Sequence, residues 1–283
     1  MIILLGGILD KTGKTTLATN LAVIRASSRR DVLLIDTSTQ GSTDSWTQIR
    51  GGKNINPRVS CIQKFGKGLL NEVKDLATRY QDIIIDAGGQ DSIELRSALV
   101  VVEKVYIPIQ PSQFDILTLS QMDELIESAK EFNPSLQAKI IINRASKIRS
   151  VHESEVAVAK KLLANFKNLE LANVIIRDQI YYAKSAIEGL SVIELNPKEA
   201  QEIEELYQEV FFANNKISQN KEPYSWEQEN VREDVTKVYN LRLSESYLLK
   251  LKYIAEHTPD SMQKFCINIL EKEIDNKINE LKK

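Results

Sequence analysis

Five short apolar runs constrain this chain more than any other feature: Ile2-Ile3-Leu4-Leu5, Val32-Leu33-Leu34-Ile35, Ile83-Ile84-Ile85, Val105-Tyr106-Ile107-Pro108-Ile109 and Ile140-Ile141-Ile142. A strand with one wet face alternates apolar and polar side chains. These runs do not alternate, so both faces need cover, as in a parallel sheet held between helical layers. Amphipathic stretches from Thr16 to Arg25, Leu69 to Tyr80 and Ile116 to Glu131 fall between them. The alternation predicts an α/β fold, a mainly parallel β-sheet flanked by helices. A further run, Asn173-Val174-Ile175-Ile176, is expected as a strand, and a helix from Lys198 to about Phe212 closes the pattern. The 283 residues leave room for this one large domain and a small second unit.

Composition removes several function classes. With 42% hydrophobic and 27% charged residues the chain is neither a disordered nor a fibrous sequence. Its apolar runs are far shorter than the roughly 20 residues of a membrane-spanning helix, so no membrane partner is expected. The first residues read as a buried strand and not as a basic leader with a cleavage site. Cys61 and Cys266 are too far apart in sequence to suggest a metal motif or a disulfide framework, and a cytoplasmic setting is expected. A formal net charge of -2 rules out a polycation that coats nucleic acid through bulk charge.

Gly13-Lys14-Thr15-Thr16 stands between the first strand and the first amphipathic helix. Backbone N–H groups and a helix N-terminus at that place cradle phosphate, with Lys14 reaching the phosphates and the Thr15 hydroxyl on Mg²⁺. The expected fold is therefore P-loop NTPase-like, with Lys11, Thr12, Gly13, Lys14, Thr15 and Thr16 as nucleotide-binding residues. A full phosphate-loop pattern would place glycine at position 8, where this chain has Ile8. Asp36 and Asp86 end apolar strands, and Asp86 can organise Mg²⁺ through water.

Several stretches, in order, carry a resemblance to ParA/MinD-type partition ATPases from Met1 to about Val210. They are Gly13 to Ala22, Val32 to Thr37, Asp82 to Gly89, Pro108 to Asp115, Ile142-Asn143-Arg144 and Ile187 to Val192. The resemblance implies ATP and Mg²⁺ as cofactors, Thr15, Asp36 and Asp86 around the metal, and Asn143 against the adenine. It also implies self-association, and a partition or DNA-adaptor protein as partner. Two departures stand out. Where that family reads K-G-G-x-G-K-T-T, this chain reads Leu9-Asp10-Lys11-Thr12-Gly13-Lys14-Thr15-Thr16, so the signature lysine and two glycines are replaced and Asp10 brings negative charge toward anionic oxygens. Where the family has a second, water-positioning aspartate, this chain has Ser38, which is too weakly basic for that role.

From about Ala213 the regularity stops. Residues 213–234 are polar and amide-rich and read as a linker between a domain over 1–212 and a unit over 235–283. Thr236 to Leu243 alternates as a strand, with Tyr239, Leu241 and Leu243 on one face and Val238, Asn240 and Arg242 on the other. A helix from near Ser244, a turn at Thr258-Pro259 and a second helix follow. This unit resembles a ribbon-helix-helix DNA-binding domain of the Arc/MetJ type. The resemblance implies a homodimer whose paired strands read DNA through Val238, Asn240 and Arg242, with Ser261 and Lys264 at a phosphate. Pairing also gives so small a unit a core.

Three functions follow from these residues. One is a ParA-like plasmid or DNA partition protein with a degenerate nucleotide site and a DNA-binding tail. Another is a hydrolysing partition ATPase in which Lys11 replaces the missing signature lysine. The last is a non-enzymatic DNA-binding regulator whose P-loop domain is a scaffold.

Overall fold

The structure is a computed structural model that describes residues 1–113, 116–212, 245–257 and 262–281. The chain divides into two compact units, Met1–Gln219 and Asn220–Lys283. In the first, the elements run β1 (Ile2–Leu5), α1 (Lys14–Ser27), β2 (Val32–Asp36), α2 (Ser42–Gly52), β3 (Ser60–Gln63), α3 (Leu69–Leu76) and β4 (Asp82–Asp86). They continue through α4 (Ile93–Leu99), β5 (Lys104–Ile109), α5 (Ile116–Lys130), β6 (Gln137–Ala145), α6 (Arg149–Leu163), β7 (Glu170–Leu171) and β8 (Ile176–Arg177). Then come α7 (Ile180–Glu188), α8 (Val192–Leu195) and α9 (Gln201–Phe212). The second unit contributes α10 (Glu245–His257) and α11 (Met262–Leu281).

The expected parallel sheet is present. Its strands lie in the order β3-β2-β4-β1-β5-β6-β7, with β8 paired to β6, and every pairing among the described residues is parallel. The absence of alternation has the anticipated cause. Ile3, Leu5, Leu34 and Ile84 enter one core with α1 and α9, while Leu4, Leu33, Ile35, Ile83 and Ile85 enter a second core with α3, α4 and α5. Successive side chains therefore alternate between two apolar layers and not between core and water. Register places Leu5, Asp36 and Asp86 side by side at the carboxyl ends of β1, β2 and β4, where open α/β sheets bind ligands.

Two expectations shift at the edges. Residues Asn173 to Ile176 do not form a continuous strand. The Asn173 N–H donates to Glu209 Oε2 at 2.9 Å, outside the sheet, and pairing with β6 resumes only at Ile176 across a register irregularity between Asn143 and Ala145. The last helix begins as a short 3₁₀ turn over Pro197–Glu199, where proline has no N–H to give, and becomes α-helical at Gln201. The expected strand over 236–243 and the linker over 213–234 lie outside the described residues. The two expected tail helices correspond to α10 and α11.

One cross-link fixes α2, the helix that follows the Asp36 loop. Arg50, 1% exposed, donates to both oxygens of Glu194 on α8 at 2.9 and 2.7 Å, to the Gly189 carbonyl at 3.0 Å and to the Pro57 carbonyl at 2.9 Å. Trp46, one turn earlier, donates to the Leu190 carbonyl at 3.3 Å. Gly189 caps α7 at φ 70, and a Cβ there would fall 2.7 Å from the Arg50 backbone nitrogen. Burial alone would raise the Glu194 pKa, but hydrogen bonds from Arg50 and from the Ser191 N–H hold it below its ordinary 4.5.

Removing Arg50 leaves this carboxylate without its cation, so Arg50→Ala is expected to cost about 3 kcal/mol in urea unfolding at pH 7. Because the folded-state pKa of Glu194 is depressed, its contribution is present above pH 4.5 and lost as pH falls through the folded value. The deficit of the variant should narrow below pH 4.5, and a pH-independent deficit would show that the pair is not its source.

Candidate functional site

Loop residues 6–13 leave the end of β1 and run into the N-terminus of α1. Gly13 caps that helix in the left-handed region at φ 96, the backbone state that glycine adopts without steric cost. Lys11 also has a positive φ of 58, which costs a non-glycine residue roughly 1–2 kcal/mol. The loop therefore keeps a left-handed turn where the residue favouring it is absent. Side chains from the neighbouring strand ends hold it. Gln110 Nε2, just past β5, donates to the Lys11 carbonyl at 2.9 Å, and Asn143 Nδ2, in β6, donates to the Thr12 carbonyl at 2.6 Å.

Lys14 is 7% exposed, and its Nζ donates back to the Leu9 carbonyl at 2.5 Å. Burial lowers the pKa of its ammonium, an effect partly offset by the charges of Asp86 and Asp10. The Asp10 side chain rests on the loop after β4, where a Cβ on Gly89 would fall 2.0 Å from Asp10 Oδ1. Only glycine at 89 lets the two loops lie this close. A cavity of about 280 Å³ lies over the turn, lined among others by Lys11, Gly13, Lys14, Thr15, Thr16 and Ser38. Among the described residues no hydrogen bond engages the backbone N–H groups of Asp10, Gly13, Lys14, Thr15 or Thr16.

Asp86 is the electrostatic centre. It is 1% exposed, and its Oδ2 accepts from Thr15 Oγ1 at 2.6 Å and from Thr43 Oγ1 at 2.5 Å. Its Oδ1 is buried with no partner among the described residues. Burial, more than the hydroxyls offset, pushes its pKa up to about 6. Asp36 has a different assignment. Its Oδ1 accepts the Ser38 N–H at 2.9 Å and its Oδ2 the Thr43 and Asp44 N–H groups at 3.0 and 3.1 Å, so both oxygens are spent on the loop and on the first turn of α2. Ser38 Oγ accepts from the Gln40 N–H at 3.2 Å.

The residues expected to bind nucleotide thus converge: Lys11, Thr12, Gly13, Lys14, Thr15 and Thr16 share one turn, Asp86 lies beneath it, and Asn143 grips it from β6. Beside it is a smaller cavity of about 90 Å³, with Asn143, Arg144, Gln179 and Tyr182 in its lining, where Gln179 Oε1 and Tyr182 Oη have no hydrogen-bond partner among the described residues. Sequence reasoning missed Thr43, Gln110 and Gly89. A threonine in the first turn after Asp36 was a legible helix-start signal. No local signal marks the other two, because their partners are about 80–100 positions away in the chain. Val238, Asn240, Arg242 and Ser261 lie outside the described residues, and Lys264 falls in the first turn of α11.

This fold and phosphate loop define a P-loop nucleotide-binding domain with a parallel sheet. The chain belongs to the CobQ/CobB/MinD/ParA nucleotide-binding-domain family, whose model matches residues 10–192. It is 24% identical over 204 residues to the maintenance of carboxysome distribution protein A of Halothiobacillus neapolitanus, spanning 70% of this chain and 90% of that protein. Its fold is shared with a putative plasmid partition protein of Borrelia burgdorferi bound to AMPPNP (TM-score 0.58, 21% identity, 75% of this chain and 98% of that one). It is shared too with the septum site-determining protein MinD of Pyrococcus horikoshii complexed with Mg-ADP (TM-score 0.57, 19% identity, 77% and 98%).

Two substitutions test this geometry without any ligand. Lys11→Gly removes the left-handed penalty and is expected to stabilise the protein by about 1 kcal/mol in chemical denaturation, whereas destabilisation would mean that the lysine side chain holds the loop. Asp86 has a folded-state pKa raised above its ordinary 3.8, so native stability is expected to fall as pH rises from about 4 to about 6. Asp86→Asn removes the buried charge and should gain about 2 kcal/mol at pH 7.5 relative to pH 4.5 in metal-free protein. Parallel pH curves for the two proteins would refute this.

Proposed function

We propose that this chain is a ParA/MinD-type partition or positioning protein that binds an adenine nucleotide weakly at the residue 9–16 loop and hydrolyses it slowly or not at all. The observation that carries the reading is the set of unpaired backbone N–H groups of Asp10, Gly13, Lys14, Thr15 and Thr16 around one cavity, with the Lys14 ammonium among them. Such an array at a helix N-terminus suits polyphosphate oxygens. The neighbouring cavity at Asn143 and Tyr182 has room and unpaired polar atoms for part of a nucleoside.

The donor set at Asp86 fits Mg²⁺. A buried carboxylate oxygen without a partner sits beside the Thr15 hydroxyl, and hard oxygen donors of this kind, completed by water and phosphate, are what that ion takes. Bound there, Mg²⁺ would neutralise phosphate charge. Thr15 and Asp86 would hold it, and Asp36 would shape the adjoining loop. Weak binding follows from Asp10, whose charge lies in the same cavity as the phosphates, and slow hydrolysis from Ser38, which offers no carboxylate to position water.

The tail, residues 235–283, is assigned to self-association and DNA binding as a ribbon-helix-helix unit. Exposure of Leu249, Tyr253, Ile267, Leu270 and Ile274 on α10 and α11 supports a partner copy, since a soluble unit this small does not leave so many large apolar side chains in water.

Calorimetry with Mg²⁺-ATP should show weak binding that Lys14→Ala lowers by about tenfold or more, with no DNA-stimulated phosphate release. Micromolar binding with such release would favour the hydrolysing alternative. Asn240→Ala with Arg242→Ala should abolish site-specific DNA binding, each lost base contact costing about 1–3 kcal/mol; retained specificity would remove the ribbon assignment.

A further inference from the structure

The phosphate loop carries Asp10 and Lys11 where the resembled family has glycines, and the side-chain hydrogen bonds that hold it go to carbonyl oxygens. Lys14 Nζ takes the Leu9 oxygen, Gln110 Nε2 the Lys11 oxygen and Asn143 Nδ2 the Thr12 oxygen. Across a trans peptide the C=O and the following N–H point in opposite directions. Fastening these three oxygens therefore turns the N–H groups of Asp10, Thr12 and Gly13 away from the side chains that hold them. The N–H groups of Asp10 and Gly13, with those of Lys14, Thr15 and Thr16 in the first turn of α1, have no hydrogen-bond partner among the described residues, whereas the Thr12 N–H faces the Leu9 carbonyl across the turn at Asp10 and Lys11; all six residues line one cavity.

Gly13 also has a purpose in this arrangement. A Cβ at that position would fall 2.2 Å from Asn143 Nδ2, so the glycine leaves room for the asparagine amide to reach the loop. Asn143 is 5% exposed and its short bond to the Thr12 carbonyl fixes its amide, which leaves that NH₂ less available to a base.

We propose that Gln110 and Asn143 are positioning residues for a polyphosphate ligand: by gripping the Lys11 and Thr12 carbonyls they aim the loop N–H groups at the phosphate oxygens and supply the geometry that glycines would otherwise give. The inference rests on the reading of this loop as a phosphate site. It makes Asn143 a determinant of phosphate affinity and not of base identity.

The test compares two probes, Mg²⁺-ATP and Mg²⁺-tripolyphosphate, the second having no base or sugar. Affinities are measured by calorimetry for the full-length chain, Asn143→Ala and Gln110→Met, the latter keeping side-chain length while removing the donor. Thermal melting accompanies each variant. Both variants should bind tripolyphosphate and ATP more weakly by the same factor, roughly tenfold for one lost buried hydrogen bond, with the ratio of the two affinities unchanged. If Asn143→Ala weakens ATP but not tripolyphosphate, Asn143 contacts the nucleoside and the proposal fails. If neither variant changes either affinity, the carbonyl grip is only structural and the proposal also fails. If the unaltered chain binds neither probe, the phosphate-site reading falls and takes this inference with it.

Discussion

The buried carboxylate of Asp86 organises this structure. Its strand, β4, is paired between β1 and β2, so an ion at its end lies at the sheet centre and beyond the reach of bulk water. A charge there is costly unless it is met by hydrogen bonds or a cation. The chain meets it in part. Thr15 from α1 and Thr43 from α2 both converge on Oδ2, while Oδ1 has no described partner and the pKa rises to about 6. Two helices that also share one core are thereby tied to one atom, and the unmet half of the carboxylate is what the proposed Mg²⁺ would meet.

The far end of α2 extends the same logic. Its N-terminus caps Asp36 and reaches Asp86, and its C-terminus is clamped through Arg50 to Glu194 and Gly189. Asn20, one turn after Thr16, accepts from the Val192 N–H at 2.7 Å, so α1 is tied to α8 as well. The two helices whose first turns face the cavity are thus both tied to the corner at α8, α2 at its far end and α1 near its middle. A displacement of Thr43 or Thr15 has to be accommodated at that corner or at the carboxylate, because close-packed helices transmit strain.

How much of this was readable in the sequence follows from what each feature depends on. The parallel sheet was legible because burial on both faces writes itself into consecutive residues, as in Ile83-Ile84-Ile85. Gly13-Lys14-Thr15-Thr16 was legible because the turn and helix start are local. The hydrogen bonds that Asp36 accepts from the first turn of α2 were not, since nothing local in the sequence marks which N–H groups a strand-end carboxylate will meet. Gln110 lies in the Pro108 to Asp115 stretch, but its contact was similarly hidden, because its partner at Lys11 is supplied by the pairing of β5 with β1. The strand expected at Asn173 failed for the same kind of reason, because Glu209 on α9 takes its N–H.

A glycine-rich phosphate loop is permissive: it adopts the required turn because nothing forbids it. The present loop is constrained instead, with Lys11 held at positive φ, Asp10 packed on Gly89 and two carbonyls gripped from β5 and β6. A constrained loop loses less conformational entropy when a ligand arrives, which works against the charge penalty of Asp10. The same constraints limit how far the loop moves as phosphates change. On the function proposed above, nucleotide binding without a hydrolytic cycle is compatible with this one loop, because the constraint concerns phosphate binding while Ser38 concerns only the positioning of water.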